Sequence, residues 1–307
     1  MQANKEPVIS VVICTYNRDK FIGETLDCLS KQTLSPALFE LIIVDNNSTD
    51  NTAAITRKFI AEHPLLHARY VLEPNKGLSF ARNRGIQESS GNIIAYIDDD
   101  VILADGYLEA IYNFFTAHGS AAGMGGKTLP RFPDGDPPKW LSSYLAGITG
   151  SVDYGNQLKR FSRPMKYPGG CNMAYRKELL LQAGGFNNEL KARADDKYIF
   201  EKIKKINSEV WYVPNAFSLH TITAERLSFN YFKKLYLKGG NEEKIKTKNE
   251  SSFSFIKKGI DLLVKCVGGL CLWMLFTLKG NYLKGKYVFL AQWYTWCGFL
   301  KREVHLR

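Results

Sequence analysis

Between residues 8 and 100, four short apolar runs alternate with helical patterns, and each run ends in a polar loop. Val8-Ile9-Ser10-Val11-Val12-Ile13-Cys14 is closed by Thr15-Tyr16-Asn17-Arg18, and a helical pattern follows to about Gln32. Leu41-Ile42-Ile43-Val44 stops at Asp45-Asn46-Asn47-Ser48-Thr49-Asp50, where Ser48, Thr49 and Asp50 are good N-cap types for a helix running toward His63. Arg69-Tyr70-Val71-Leu72 leads to Asn75-Lys76-Gly77 and a helix over 78–88. Ile93-Ile94-Ala95-Tyr96-Ile97 ends in Asp98-Asp99-Asp100. Apolar strands joined by helices through short connections predict a parallel sheet covered on both faces, an α/β fold.

The acid triplet is where this pattern turns toward chemistry. Three adjacent carboxylates repel one another and resist burial, so stability alone does not select them. Placed at the C-terminal end of a buried strand, they stand at the sheet edge where open α/β sheets bind ligands. Carboxylates fixed there suit Mg²⁺ or Mn²⁺, which take oxygen ligands and bridge to phosphate. Taken alone, such a triplet also reads as a solvated acidic turn. Asp45 can accept hydrogen bonds from a ribose or a base edge, or cap a turn. Lys76, Arg82 and Arg84 can meet phosphate oxygens, and Arg82 or Arg84 alone can instead lie on a solvated helix face. Together these residues describe a nucleotide-diphosphate site. No Gly-x-Gly-x-x-Gly follows the first strand and no Gly-rich Lys-Ser/Thr loop is present, which argues against a dinucleotide fold and a P-loop ATPase.

Over residues 7–240 the chain resembles the family 2 glycosyltransferases of the GT-A fold. The resemblance rests on six ordered motifs: residues 11–18, residues 43–50, residues 75–85, Ile97-Asp98-Asp99-Asp100, Gly169-Gly170-Cys171-Asn172-Met173-Ala174, and Ala194-Asp195-Asp196. It implies a GT-A domain over 1–240 with a mainly parallel central sheet, and a separate region over 241–307. It implies an inverting enzyme that moves a sugar from a nucleotide diphosphate, a UDP-sugar foremost, to a glycan or lipid-linked acceptor in surface polysaccharide or glycoconjugate synthesis. By this resemblance Thr15 and Tyr16 flank the base, Asp45 holds the base or ribose, and Arg82 faces the diphosphate. Asn17, Arg18, Lys76 and Asp99 join the donor site. Asp100 is the direct metal ligand, Asp98 serves metal or ribose, and His220 stands where a third ligand is found. A lone histidine in an apolar strand is also commonly structural. Asp196 matches the general base. The family has Glu-Asp where this chain has Asp195-Asp196, and the shorter Asp195 changes how an acceptor hydroxyl is held. Either acid could instead serve as a first-turn helix acid.

Residues 128–167 carry little periodicity, as functional or disordered segments do. Trp140, Tyr144 and Tyr154 offer flat faces for an acceptor sugar or for packing the segment down. Gly169 and Gly170 let backbone approach an acceptor closely, or simply turn the chain.

The formal charge of +11 is unevenly placed. Residues 1–220 carry 25 Lys/Arg against 24 Asp/Glu, whereas residues 221–307 carry 16 against six. The same tail holds two apolar runs, 266–278 and 287–300, each shorter than the ~20 residues of a membrane span. Lys257, Lys258, Asp261 and Lys265 interrupt extension of the first. Basic residues beside Trp, Tyr, Phe and Leu predict a helical, membrane-associating appendage on an anionic surface, or a pair of core or oligomer-interface helices. No nucleic-acid motif accompanies the charge, so no nucleic-acid partner is expected. Six cysteines without a Cys-x-x-Cys pair, and a polar start without a signal peptide, predict reduced thiols in a cytoplasmic protein at the inner face of the membrane. A nucleotidyltransferase and a non-catalytic nucleotide-sugar-binding membrane scaffold remain as alternatives.

Overall fold

The computed structural model describes residues 8–162, 165–189 and 195–301. The polar start, Ala194 of the last motif and residues 302–307 lie outside the described residues. The chain divides into two compact units, one of residues 1–130 and 150–221, the other of residues 131–149 and 222–307.

The first unit is built on a mixed sheet. In chain order its elements are β1 (Ile9–Thr15), α1 (Ile22–Ser30), β2 (Phe39–Asp45), α2 (Thr52–Glu62), β3 (His67–Leu72), α3 (Leu78–Glu88), β4 (Ile93–Asp98), β5 (Val101–Leu103), α4 (Tyr107–Ala117), β6 (Gly123–Arg131), β7 (Lys159–Arg160), β8 (Asn172–Arg176), α5 (Lys177–Gln182), α6 (Asp195–Ile206) and β9 (Val210–Thr221). The strand order is β3-β2-β1-β4-β8-β6-β9-β5, with β7 paired to β9. The first four of these run parallel, as the alternation of apolar runs and helices predicts. Beyond β4 the pairing turns antiparallel, through β8, β6, β5 and β7.

The two-residue side-chain period of a strand sorts the core into two layers. Ile9, Val11 and Ile13 of β1 join one apolar cluster with Ile22 and Leu26 of α1, Phe59 of α2 and Tyr107, Ile111 and Phe115 of α4. Val12 faces the other way, into a cluster with Ala81 and Ile86 of α3, Leu180 of α5 and Ile199, Phe200 and Ile203 of α6. Both faces of the central strands are therefore buried, which is why they read as unbroken apolar runs rather than as alternation.

The second unit contains a 3-10 turn (Ser143–Thr149) and the helices α7 (Ala224–Leu227), α8 (Phe229–Glu250), α9 (Ser252–Leu278) and α10 (Tyr282–Leu300). The boundary expected at residue 240 falls inside α8, because that helix packs against α10 within this unit. The contact is close: a Cβ on Gly240 would lie 1.9 Å from the Thr295 carbonyl oxygen, and one on Gly298 would lie 2.1 Å from that of Leu237. The apolar run expected to be too short for a span continues through Lys257, Lys258, Asp261 and Lys265 as one 27-residue helix. Its apolar window is long enough to cross a membrane by length and composition. The continuity follows from propensity, since Lys propagates a helix nearly as well as Leu.

Candidate active site

Strand register brings the polar loop residues to one edge of the first unit. Thr15 pairs with Asp45, and Cys14 with Asp98, so the ends of β1, β2 and β4 lie level. β8 runs antiparallel to β4 with Asn172 opposite Ile97, which sets Gly170 and Cys171, just ahead of it, at the same edge. β9 runs antiparallel to β5 with His220 opposite Val101, and the Thr221 amide donates to the Asp100 carbonyl. Residues more than 100 apart in sequence thus meet around the acid triplet.

Asp98, Asp100 and His220 each offer one donor atom, and these atoms all lie within 4.8 Å of one another. His220 Nε2 lies 3.3 Å from Asp100 Oδ1. Two carboxylates and an imidazole on rigid strand ends are a donor set that fits a divalent cation of the Mn²⁺ or Mg²⁺ kind. Arg18 closes the outer side, with Nε 3.3 Å from Asp99 Oδ1 and Nη2 3.7 Å from Asp100 Oδ2. Burial pushes the Asp99 carboxyl up to about 7, against the pull of the Arg18 guanidinium.

A second set of residues adjoins this cluster. Arg82, on α3, is only 3% exposed. Its Nη1 pairs with the Asp195 carboxylate, its Nη2 donates to the Gly170 carbonyl at 3.1 Å, and the same nitrogen lies 3.7 Å from Asp98 Oδ1. Asp195 and Asp196 occupy the first turn of α6. Asp196 accepts from the Gly170 amide at 3.3 Å and from the Lys197 amide at 2.7 Å. Burial holds its carboxyl above the ordinary range, with Asp195 adding to the rise while the Lys197 amide and Arg82 oppose it. A carboxylate raised in this way, at a ligand-binding edge, is suited to accept a proton.

The remaining predicted residues line the β1 and β2 ends. Asp45 accepts from the Tyr70 hydroxyl at 2.7 Å and the Ser48 amide at 2.9 Å. Tyr16 is half exposed, and the Lys76 ammonium stands 5.6 Å from its ring centre. Asn17 takes φ 53°, a left-handed conformation that Asn tolerates, and its side chain accepts from the Thr49 amide at 2.8 Å. Arg84 is held on its own helix by Glu88. Gly169 precedes Gly170 in the turn into β8, and its carbonyl accepts from the Asn172 amide at 3.0 Å. Trp140 belongs to the second unit, where it stacks on Tyr287 at 4.7 Å and meets Phe232 edge-on.

Sequence reasoning missed two sets of partners. One is the bracing of the first two loops against each other: the Asn17 amide donates to Ser48, the Arg18 amide to Thr52 and the Asp19 amide to Asp50. The signal was present in Asn17 and in the Ser/Thr/Asp cluster of 48–52, whose side chains compete for backbone donors. The other is the Arg82–Asp195 pair, for which the sequence carries no signal.

The family model for glycosyl transferase family 2 matches residues 10–183. A glucosyl-dolichyl phosphate glucuronosyltransferase of Haloferax volcanii is 23% identical over 229 residues, covering 72% of this chain and 66% of that protein. The chain spans less than two thirds of the length of this relative, and less than half of other curated relatives at 32–35% identity. Among solved structures, the mannosyltransferase PcManGT of Pyrobaculum calidifontis, in complex with GDP-Man and Mn²⁺, superposes with a TM-score of 0.62 at 18% identity, over 94% of this chain and 86% of that one. S. aureus TarS 1-349 in complex with UDP-GlcNAc gives 0.54 at 18% identity, over 93% and 91%. The fold is GT-A-like, an α/β fold with a mixed sheet.

Proposed function

The chain belongs to glycosyl transferase family 2, and from that membership we propose that it is a metal-dependent, inverting glycosyltransferase. The observation that carries the reading is one sheet edge holding both a divalent-cation donor set and a partly buried carboxylate, Asp196, whose basicity burial raises. Thr15 and Tyr16 flank the base of the donor, Asp45 holds its ribose or base, and the cations Arg18 and Lys76 meet the diphosphate. Asp98, Asp100 and His220 hold the cation, with Asp100 its central ligand. When bound, that cation offsets the charge that collects on the departing diphosphate.

Asp196 accepts the proton of the acceptor hydroxyl as the oxygen bonds to the anomeric carbon. The bond from that carbon to the diphosphate oxygen breaks, and its electron pair leaves with the nucleotide. One base opposite the leaving group suffices, so the configuration inverts without a protein nucleophile. A UDP-sugar is the proposed donor, supported by the UDP-GlcNAc complex of TarS, with a GDP-sugar, as in PcManGT, the other outcome of the test. Incubation with a panel of nucleotide sugars tests the activity. Release of a nucleoside diphosphate on sugar transfer is expected. Release of pyrophosphate would make the protein a nucleotidyltransferase, and binding without turnover on any acceptor would make it a scaffold.

The acceptor is proposed to be lipid-linked or a surface glycan, and the second unit to bind the anionic inner face of the cell membrane. Two observations support this. The outer face of α9 leaves Phe253, Ile256, Ile260, Val264, Val267, Met274 and Leu278 exposed, at helical spacing. Residues 221–307 carry a net charge of +10. Lys257, Lys258, Asp261 and Lys265 in the first half of α9 suit a helix lying in the interface rather than crossing it. Each cation near such a surface contributes about 1 kcal/mol, screened by salt. Sedimentation with vesicles is therefore expected to need anionic lipid and to fall with salt, and Val264→Asp with Val267→Asp to release the protein while sparing nucleotide binding. Equal sedimentation with neutral vesicles, or retention through high salt and alkaline carbonate, would overturn the interfacial reading. A soluble dimer that buries this face would make α9 an oligomerisation element.

A further inference from the structure

We infer that Arg82 is a positioning residue that aligns the proton-accepting half of the site with the metal-binding half, rather than a contact to the donor diphosphate. The inference rests on the glycosyltransferase reading above. Both terminal nitrogens of Arg82 are already engaged inside the protein, by Asp195, by the Gly170 carbonyl and, more loosely, by Asp98. The guanidinium also lies beside two aromatic rings that meet edge to face, with centres 5.9 Å away for Tyr96 and 5.4 Å away for Phe186. Withdrawing a buried charge from its partners leaves unpaired ions behind, which is strongly unfavourable. A side chain held in this way is built to stay in place.

Two routes lead from Arg82 to Asp196. One runs through Asp195, its neighbour in the first turn of α6. The other runs through Gly170, whose carbonyl accepts from Arg82 while its amide donates to Asp196. Gly170 is suited to this post by its missing side chain, because a Cβ there would lie 2.6 Å from Arg82 Nη2. The Nη2 that donates to Gly170 also lies 3.7 Å from Asp98 of the cation-binding cluster. The planar fork of arginine can meet all three partners at once, whereas a lysine ammonium on a flexible stem holds no such fixed geometry. Arg82 therefore sets the separation between the carboxylate that takes the proton and the acids that hold the leaving group's counter-charge. Small errors in such a separation are costly, about a hundredfold in rate for ~1 Å.

The test compares Arg82→Lys, Asp196→Asn and the double variant. Turnover is read with whichever of UDP-glucose, UDP-N-acetylglucosamine or GDP-mannose the wild-type enzyme uses. Nucleotide affinity is read by calorimetry with UDP and Mn²⁺, and folding by the melting temperature. We expect Arg82→Lys to lower kcat by about a hundredfold, and at least about tenfold more than it raises the UDP Kd. In the Asp196→Asn background the same substitution should cost almost nothing further, because its effect passes through Asp196. Should Arg82→Lys not fold, Asp195→Asn is read in the same way. Losses that multiply in the double variant, or a Kd that rises as steeply as kcat falls, would overturn the inference and make Arg82 a direct ligand contact. Wild-type turnover in Asp196→Asn alone would instead remove the assignment of the base, and the inference with it.

Discussion

Asp196→Asn is expected to lower turnover by about two to four orders of magnitude, the scale of a positioned general base. The substitution keeps the shape of the side chain and one of its two acceptor oxygens, so of the amides of Gly170 and Lys197, which bond to different oxygens, one retains its partner. What it removes is basicity. Affinity for the nucleotide should stay close to wild type, because the proposed donor contacts lie at the ends of β1 to β4 and in the loops after them. The pH profile carries a second signature. A carboxylate that works as a base must be ionised, and burial raises the Asp196 carboxyl above its ordinary value of about 3.9. Activity should therefore fall on the acid side at a pH above the ordinary carboxylate range and recover as pH rises. That limb should vanish in the variant. Near wild-type turnover in Asp196→Asn would move the role to another group, Asp195 first. A product with retained anomeric configuration would contradict a single-base mechanism outright.

Chelation of divalent cations, and Asp100→Ala, are each expected to abolish most transfer activity. Groups that merely hydrogen-bond to metal ligands cost about ten- to a hundredfold when removed, so a direct ligand should cost at least the upper end of that range. Asp100 is central to the cluster: it lies within reach of Asp98 and His220 and also pairs with Arg18. Losing it leaves the diphosphate poorly neutralised in both the bound state and the transition state, so nucleotide affinity should weaken along with turnover. Asp98→Asn should weaken nucleotide binding as well, since it removes charge beside both the cation and the ribose. Calorimetry with UDP, with and without Mn²⁺, separates these cases. Turnover indifferent to both chelator and Asp100→Ala would sink the metal-dependent reading.

Much of the first unit was legible because its signals are local. A run such as Leu41-Ile42-Ile43-Val44 can bury both faces only inside a covered sheet, and the polar residues that close it must then stand at the strand end. The helix expected over 78–88 forms at those residues, and Asp195 and Asp196 do stand in the first turn of a helix, the second of the two uses their sequence offered. Less was legible in the segment 128–167, where β6 extends to Arg131 and a 3-10 turn covers Ser143–Thr149. Its aromatic residues had two equal uses in sequence, and for Trp140 the stacking partner, Tyr287, lies 147 positions away. The tail was misread in length because its charges were counted as interruptions. A helix tolerates Lys257, Lys258, Asp261 and Lys265 so long as Lys and Asp can pair with each other and meet solvent, as the Lys265–Asp261 contact at 2.8 Å does.

By itself the sequence determined which residues stand at strand ends, because the order of apolar runs and polar loops along the chain dictates it. Thr15, Asp45 and the acid triplet needed nothing more to be placed at one edge of a sheet. Which of those groups would touch was a different matter. Arg82 and Asp195 are 113 residues apart, and Asp100 and His220 are 120 apart. No local preference reaches across such distances. Their meeting depends on the antiparallel register of β8 and β9 and on the packing of α3 and α6 against one face of the sheet. Those features are decided by the burial of both faces at once, a free energy that belongs to the assembled layers and to no segment of the chain taken alone.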